Sequence, residues 1–184
     1  MPEARLEDSG SGLAPAGDGW FVVNVRDARW WTSDLGRSGW LLEGRDLSFT
    51  QLGINLTVLQ PGAPNGLYHT ESHQEAFLVL SGECRLLVES EERLLRQWDF
   101  FHSPAGTEHI FAGAGDGPCV ILMVGARSAD EQLHYPVSEL AARYGASAKE
   151  ETSDPDEAYA GWDEPRLGRP PYWDQLPWAS GTVE

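Results

Sequence analysis

Most of the information in this sequence lies in two segments, residues 66–83 (GLYHTESHQEAFLVLSGE) and residues 98–111 (WDFFHSPAGTEHIF). Side chains alternate between the two faces of a strand, so His69 and Glu71 share one face of the first segment. The polar residues that follow Glu71 suit a turn, after which Glu75 opens a second strand. This hairpin gathers an imidazole and up to two carboxylates, a ligand set for a first-row divalent metal.

The second segment contains a tight turn at residues 104–107, followed by a strand that begins near His109. If this strand pairs beside the first hairpin in a small barrel, the side chain of His109 points into the same cavity. We therefore predict a metal site with four candidate ligands: His69, Glu71, Glu75 and His109.

His73 is an alternative to Glu71 in this predicted site. If the chain stays extended as far as Glu75, every odd-numbered side chain from His69 onward shares one face, and His73 can displace Glu71. A turn over residues 72–74 favours Glu71 and makes His73 a solvated turn residue. Glu71 can also act without binding the metal, as an acceptor that holds His69 in one tautomer.

The chain from residue 20 to residue 126 alternates short apolar runs with turns that contain glycine and proline, which is typical of an all-β sandwich or barrel. Residues 77–80 and 120–124 are apolar on both faces of the predicted strands. One face looks into the barrel, and the other needs a cover from another sheet, an arm or a second subunit. A similar subunit contact or arm is expected at three clustered tryptophans: Trp30, Trp31 and Trp40.

The domain organisation follows from changes in composition along the chain. Residues 1–19 are predicted to form a flexible leader, and residues 20–126 form the barrel. Residues 127–148 form a helical segment with one short amphipathic helix, whose apolar positions are Val137, Leu140, Ala141 and Tyr144. Residues 149–184 begin as an acidic linker and end as a strap rich in proline and tryptophan. We expect this strap to lie extended in a groove on the barrel or on a partner subunit.

Together the two segments resemble the motifs of the cupin superfamily. The first cupin motif contains His-x-His, three or four residues, Glu, six residues and Gly. The corresponding positions in this sequence are His69, Glu71, Glu75 and Gly82. The second contains Gly, five residues, Pro-x-Gly, two residues, His, three residues and Asn, and its positions are Trp98, Pro104, Gly106, His109 and Gly113. The resemblance implies a double-stranded β-helix, the RmlC-like jelly-roll barrel, with extended arms at both termini.

This sequence departs from the cupin pattern at several positions. Glu71 replaces the second histidine, which makes the donor set harder and more anionic and favours Mn²⁺ or Fe²⁺, with Zn²⁺ also open. Trp98 replaces the opening glycine of the second motif, and Gly113 replaces its closing asparagine. The opening glycine of the first motif must be Gly62 or Gly66. These last differences affect turns more than chemistry.

The resemblance implies one divalent metal ion per chain and a homodimer, since cupins commonly pair. It also implies a metal-dependent enzyme that acts on a small molecule as a dioxygenase, isomerase or lyase, without assigning a catalytic residue. We expect an apolar and aromatic pocket wall made by Tyr68, Phe77, Phe101, Phe111 and Met123. Two alternatives stay open, a non-catalytic module that binds a metal or small molecule and a metal-free, sugar epimerase-like barrel.

Composition limits the classes of binding partner and the cellular compartment to be expected. Lys and Arg number 13 against 29 Asp and Glu, a formal net charge of −16, which repels phosphate backbones and anionic lipid. Nucleic acids and membranes are therefore not expected partners. The sequence shows no signal peptide and no apolar run near the roughly 20 residues of a membrane helix, so we expect a cytoplasmic protein. Its cysteines, Cys84 and Cys119, are too few for a disulfide scaffold.

Overall fold

The computed structural model describes residues 1–43 and 48–179. The strands in these residues are β1 (Arg5–Asp8), β2 (Leu13–Ala16), β3 (Arg29–Thr32), β4 (Arg37–Leu41), β5 (Leu52–Leu59), β6 (Thr70–Glu71), β7 (Glu75–Ser81), β8 (Glu83–Val88), β9 (Glu91–Arg96), β10 (Phe100–Ser103), β11 (His109–Ala114), β12 (Cys119–Ala126), β13 (Leu133–His134) and β14 (Arg166–Leu167). The helical segments are short: α1 (Glu139–Ala142), α2 (Pro155–Ala158) and a 3₁₀ turn (Trp173–Gln175). The all-β prediction is therefore confirmed.

Two facing antiparallel sheets build the barrel. The larger has the strand order β10-β7-β12-β5-β4-β3-β14, and the smaller has the order β11-β8-β9. Side chains from both sheets fill the space between them, including Leu59, Phe77 and Ile121 from the larger sheet and Leu86 and Phe111 from the smaller one. This shared core makes the two sheets one jelly-roll barrel, because each apolar inner face is removed from water only by packing against the other.

The outer face of the larger sheet is apolar as well, as the sequence predicts. Val58 and Val120 alternate with the inward-facing residues of β5 and β12, so they lie on the outer face of the sheet, yet both side chains are fully buried. Their cover comes from the chain itself, since Trp30, Tyr172 and Leu176 pack in the same cluster. The homodimer stays a prediction, and part of the apolar face that motivated it is covered within one chain.

The C-terminal strap lies against this outer face. Its strand β14 pairs with β3 at the edge of the larger sheet, and Arg166 forms two hydrogen bonds of 2.8 and 2.6 Å with Asp34. The ring of Trp173 packs edge-on against Trp30 with 5.3 Å between centroids. Prolines interrupt regular structure here, but the aromatic side chains still gain burial against the sheet.

The terminal regions differ from their predicted form. Residues 1–19 contain the paired strands β1 and β2 instead of a structureless leader, because an Asp-containing turn closes them and Ala14 is buried beneath. The helix α1 is a single turn, and Val137 is exposed because the helix starts after it, capped by the Ser138 hydroxyl. The acidic linker contains the second helical turn, α2, capped by Asp154. None of the described helices has the length and apolar character to span a membrane.

Two departures from the cupin motif have a structural explanation. Trp98 adopts a φ of 75°, in the left-handed region that glycine enters freely, so the tryptophan takes a glycine-like conformation at a steric cost of about 1–2 kcal/mol. Gly113 lies against another segment of the same chain, where a Cβ would come within 2.1 Å of the carbonyl oxygen of Gln60. Glycine is therefore required at residue 113 by this close approach.

Candidate metal centre

His69 and His109 lie directly opposite each other on adjacent segments of the barrel. Their backbones form an antiparallel bridge in which His69 N donates to His109 O at 3.2 Å and His109 N donates to His69 O at 2.9 Å. The two ring centroids are 5.1 Å apart. The two segments singled out in the sequence thus meet at their histidines through this isolated bridge; the predicted hairpin is not formed, because β6 pairs with β13 and β7 pairs with β10 and β12.

Glu75 completes a cluster of three donors. The nitrogen or oxygen atoms that His69, Glu75 and His109 can offer to a metal lie within 4.8 Å of one another. His109 Nε2 is 3.2 Å from a carboxylate oxygen of Glu75, and the His109 side chain is almost fully buried. Since β7 begins at Glu75, the carboxylate is fixed by the first residue of a paired strand.

Both imidazoles are held in the same tautomer. His69 Nδ1 lies 2.7 Å from the carbonyl oxygen of Leu67, and His109 Nδ1 lies 3.1 Å from that of Thr107. A carbonyl oxygen only accepts hydrogen bonds, so each Nδ1 carries the proton. In the neutral rings Nε2 therefore presents a lone pair, which is the arrangement found in metal-binding histidines.

This arrangement fits a divalent cation. Each Nε2 faces a carboxylate oxygen, with 3.4 Å from His69 to Glu71 and 3.2 Å from His109 to Glu75, so a proton or a metal ion between them is favoured. Two electron-rich atoms in a buried site repel unless positive charge lies between them. Imidazole nitrogens and a carboxylate are ligands that Mn²⁺, Fe²⁺ and Zn²⁺ accept, so the residues present can hold such an ion.

Glu71 lies beside this cluster but is not one of its three members. Burial raises the pKa of Glu71, but the hydrogen bond and charge of His69 lower it more, so it stays below its usual value. Burial lowers the pKa of His69, and its contacts with Glu71 and Leu67 more than offset this. Glu71 thus contacts a candidate ligand, which matches its alternative role as an acceptor next to His69.

His73 does not join the cluster. Its two ring nitrogens hydrogen-bond to the hydroxyls of Ser72 at 3.1 Å and Ser128 at 2.9 Å. The chain turns between β6 and β7, so His73 is a turn residue rather than part of one continuous strand. This turn removes the alternation that would have aligned His73 with His69.

A cavity of about 260 Å³ opens beside the candidate ligands. Of the predicted wall residues, Phe77 and Met123 line it. Tyr68 does not, because it alternates with His69, and its hydroxyl instead accepts a hydrogen bond from Ser90 N at 3.2 Å. Phe101 and Phe111 pack behind the cavity, against Phe77 and His109.

The wall is more polar than the sequence predicts. Its additional polar members are Asn55, Asn65, Arg127 and Glu131. Asn55 pairs across the sheet with Met123, so it lies one alternation before the inward-facing Thr57 and Leu59. That alternation in β5 could have identified Asn55, whereas Arg127 and Glu131 follow the last barrel strand and carry no motif.

Comparisons with known proteins agree with this geometry. The family model described as Cupin domain matches residues 55–125, the part of the chain that holds all three clustered donors. No curated protein matches the chain.

Several solved structures share the fold. A sugar phosphate isomerase from a cupin superfamily, from Silicibacter pomeroyi, is 27% identical with a TM-score of 0.56, and the match covers 64% of this chain and 82% of that one. A protein from Acidithiobacillus ferrooxidans, provisionally named a sugar phosphate isomerase, is 30% identical with a TM-score of 0.45; the match covers 47% of this chain and 56% of that one. KdgF from Halomonas sp. is 23% identical with a TM-score of 0.50, with coverage of 61% and 98%.

Proposed function

We propose that this protein is a metal-dependent enzyme, an isomerase of a small hydroxylated substrate that carries an anionic group; the match of residues 55–125 to the Cupin domain model supports this. The observation that carries the proposal is the buried cluster of His69, Glu75 and His109. A divalent ion bound there supplies Lewis-acid polarisation of a substrate oxygen. The similar Silicibacter protein, described as a sugar phosphate isomerase, supports the reaction class.

Isomerisation next to a carbonyl needs a group that takes a proton from one carbon and returns it to another. Glu71 is the candidate for this role, since it lines the cavity and is left out of the donor cluster. Glu131 lines the same cavity, and burial followed by the charge of Glu71 raises the pKa of Glu131. The two carboxyl groups thus offer a proton acceptor and a proton donor at one wall.

The polar wall suits a hydroxylated, anionic substrate. Asn65 Oδ1 accepts a hydrogen bond from Phe111 N at 2.9 Å. The side-chain NH₂ of Asn65 makes only a long contact with Met123 Sδ, at 4.0 Å, so it can donate to a substrate oxygen. Arg127 is the sole guanidinium among the described residues that line the cavity. It is paired with Glu43, and an anionic substrate group would compete with that carboxylate for it.

Metal analysis and turnover test this proposal together. The protein is loaded with Mn²⁺, Fe²⁺ or Zn²⁺ and assayed by NMR in D₂O for interconversion of aldose and ketose phosphates, with solvent deuterium incorporated at the exchanged carbon. We expect one ion per chain and metal-dependent turnover. Glu71→Gln should remove turnover while the metal stays bound, and Glu139→Gln, on helix α1 away from the cavity, should change neither.

The other outcomes select the alternatives. Stoichiometric metal without turnover of any substrate in the panel would favour a non-catalytic binding module. Turnover that is unaffected by chelators, in protein that holds no metal, would favour a metal-free epimerase-like barrel.

A further inference from the structure

Tyr159 lies beyond residues 55–125, yet only the backbone of one residue, Leu67, separates its hydroxyl from a candidate metal ligand. The hydroxyl oxygen of Tyr159 accepts a hydrogen bond from Leu67 N at 3.0 Å. The carbonyl oxygen of Leu67 accepts the Nδ1–H of His69 at 2.7 Å. The backbone of Leu67 is therefore held from both sides, by Tyr159 and by His69.

The contact is tightly built. Leu67 is 1% exposed, so its N–H has no access to water and needs a protein acceptor. Gly66 makes room for that acceptor, because a Cβ at residue 66 would come within 2.7 Å of the Tyr159 hydroxyl. Burial also raises the pKa of Tyr159, which keeps the hydroxyl protonated.

An aromatic stack connects the same residues. The ring of Tyr135 lies between His69 and Tyr159, with 5.8 Å between centroids on each side. Tyr159 packs edge-on against Trp162 at 5.1 Å, and the guanidinium of Arg37 lies 4.8 Å from the Trp162 ring. His69 is thus in contact with a layer that runs from the C-terminal region back to β4.

We propose that Tyr159 is a positioning residue for the metal centre: its hydroxyl fixes the backbone of Leu67 through the N–H, and the Leu67 carbonyl fixes the tautomer and orientation of His69. The inference rests on the metal site of the proposed function. Groups that hydrogen-bond directly to a metal ligand, as the Leu67 carbonyl does to His69, typically change metal affinity by about 10–100-fold when they are lost, and Tyr159 acts through that carbonyl. Loss of the hydroxyl leaves the buried Leu67 N–H without an acceptor, so the backbone of Leu67, including the carbonyl that holds His69, is expected to shift.

Tyr159→Phe tests this role, and Tyr144→Phe is the matched control. Tyr144 also hydrogen-bonds through its hydroxyl, to Glu92 at 2.8 Å, but at an exposed position away from the site. We expect Tyr159→Phe to weaken Co²⁺ or Zn²⁺ binding by about 10-fold or more, and Tyr144→Phe to leave it unchanged. In metal-free protein, at a pH where the ring is neutral, ¹H–¹⁵N NMR of the imidazoles should show His69 protonated on Nδ1 in the wild type and a mixture of tautomers in Tyr159→Phe.

The NMR measurement separates this inference from the proposed function. If the wild type binds no metal, the proposed function fails, and the His69 tautomer in the two metal-free proteins still decides the role of Tyr159. Unchanged tautomer and unchanged metal affinity in Tyr159→Phe would overturn the inference.

Gly66→Ala provides a second, independent variant. The added methyl group should displace the Tyr159 hydroxyl and produce the same loss of metal affinity as Tyr159→Phe. The double variant Gly66→Ala/Tyr159→Phe should then be no worse than either single variant, because the hydroxyl that collides with the methyl group is gone. Fully additive losses would show that residues 66 and 159 act separately and would contradict the proposal.

Discussion

The barrel segment, residues 55–125, and the C-terminal region, residues 127–179, contribute in different ways. The barrel segment holds all three clustered donors, and each is fixed by a paired backbone at His69, Glu75 or His109. The C-terminal region contributes none of these donors. It covers the outer face of the larger sheet and hydrogen-bonds to the loop that carries His69.

The difference shows that donor identity and donor position have separate origins. The donors lie in strands whose alternation and spacing form a motif, so their chemistry is visible in a short window of sequence. The carbonyls that orient the two imidazoles are nearby in sequence, but one of them is supported by Tyr159, which lies 92 positions from Leu67 and has no spacing relation to the site. Three measurements sharpen or break this comparison.

The largest expected effect is on stability, at Trp30 of β3, which packs between the outer face of the larger sheet and the C-terminal region. Trp30 is fully buried, packs against Trp173 and Trp178, and donates through Nε1 to Val25 O at 2.9 Å. Trp30→Ala should lower the free energy of unfolding by about 3–5 kcal/mol, measured by urea denaturation. Trp20→Ala, at a 53% exposed position, should change it by less than about 0.5 kcal/mol. Equal effects of the two variants would mean that the strap is not part of the cooperative fold.

The second effect is on metal affinity and concerns the barrel segment. His109→Ala removes a buried donor and should weaken metal binding by at least about 100-fold, or about 2.7 kcal/mol, measured by calorimetric titration. His73→Ala is the control, because His73 bonds to serine hydroxyls in the turn and not to the donor cluster. Comparable losses of metal affinity from both variants would show that His73 is a metal ligand and would contradict the assignment of Glu75 or Glu71 to the site.

The smallest effect concerns a single hydrogen bond between the strap and the sheet. The Tyr172 hydroxyl donates to Ser38 Oγ at 3.0 Å in a buried setting. Tyr172→Phe leaves that oxygen without a donor and should cost about 1 kcal/mol of unfolding free energy. Ser38→Ala added to Tyr172→Phe should cost less than the sum of the single variants, as thermal denaturation of the four proteins can show. Strict additivity would mean that the bond is not formed in solution.

The fold was predictable because its decisive residues alternate locally. Val58 and Val120 are apolar beside apolar inward-facing neighbours, which shows in the sequence that both faces of the sheet are buried. The identity of the cover was not predictable, since a second subunit and a C-terminal arm bury the same kind of surface. The predicted pocket wall includes Tyr68, but Tyr68 is adjacent to His69 in sequence. Strict alternation places its side chain on the face of the strand opposite to that of His69.

The site was predictable only as a set of donor types. The spacing of His69, Glu75 and His109 places them on converging strands, and they meet within 4.8 Å. Arg127 and Glu131 lie after the last barrel strand, where no periodicity relates them to the cavity they line. The turn between β6 and β7 also had to be located to within one residue, because a shift of one position exchanges the faces of Glu71 and its neighbours.

By itself, the sequence determined an all-β barrel and the nitrogen and oxygen donors that two of its segments bring together, because strand alternation and turn chemistry act over a few adjacent residues. Only the tertiary structure decided which carboxylate joins the two histidines, which ring nitrogen carries each proton, and which segment covers the outer sheet. Those choices depend on single hydrogen bonds and packing contacts that no spacing pattern reveals, several of them between residues far apart in the chain, such as Leu67 with Tyr159 and Trp30 with Trp173.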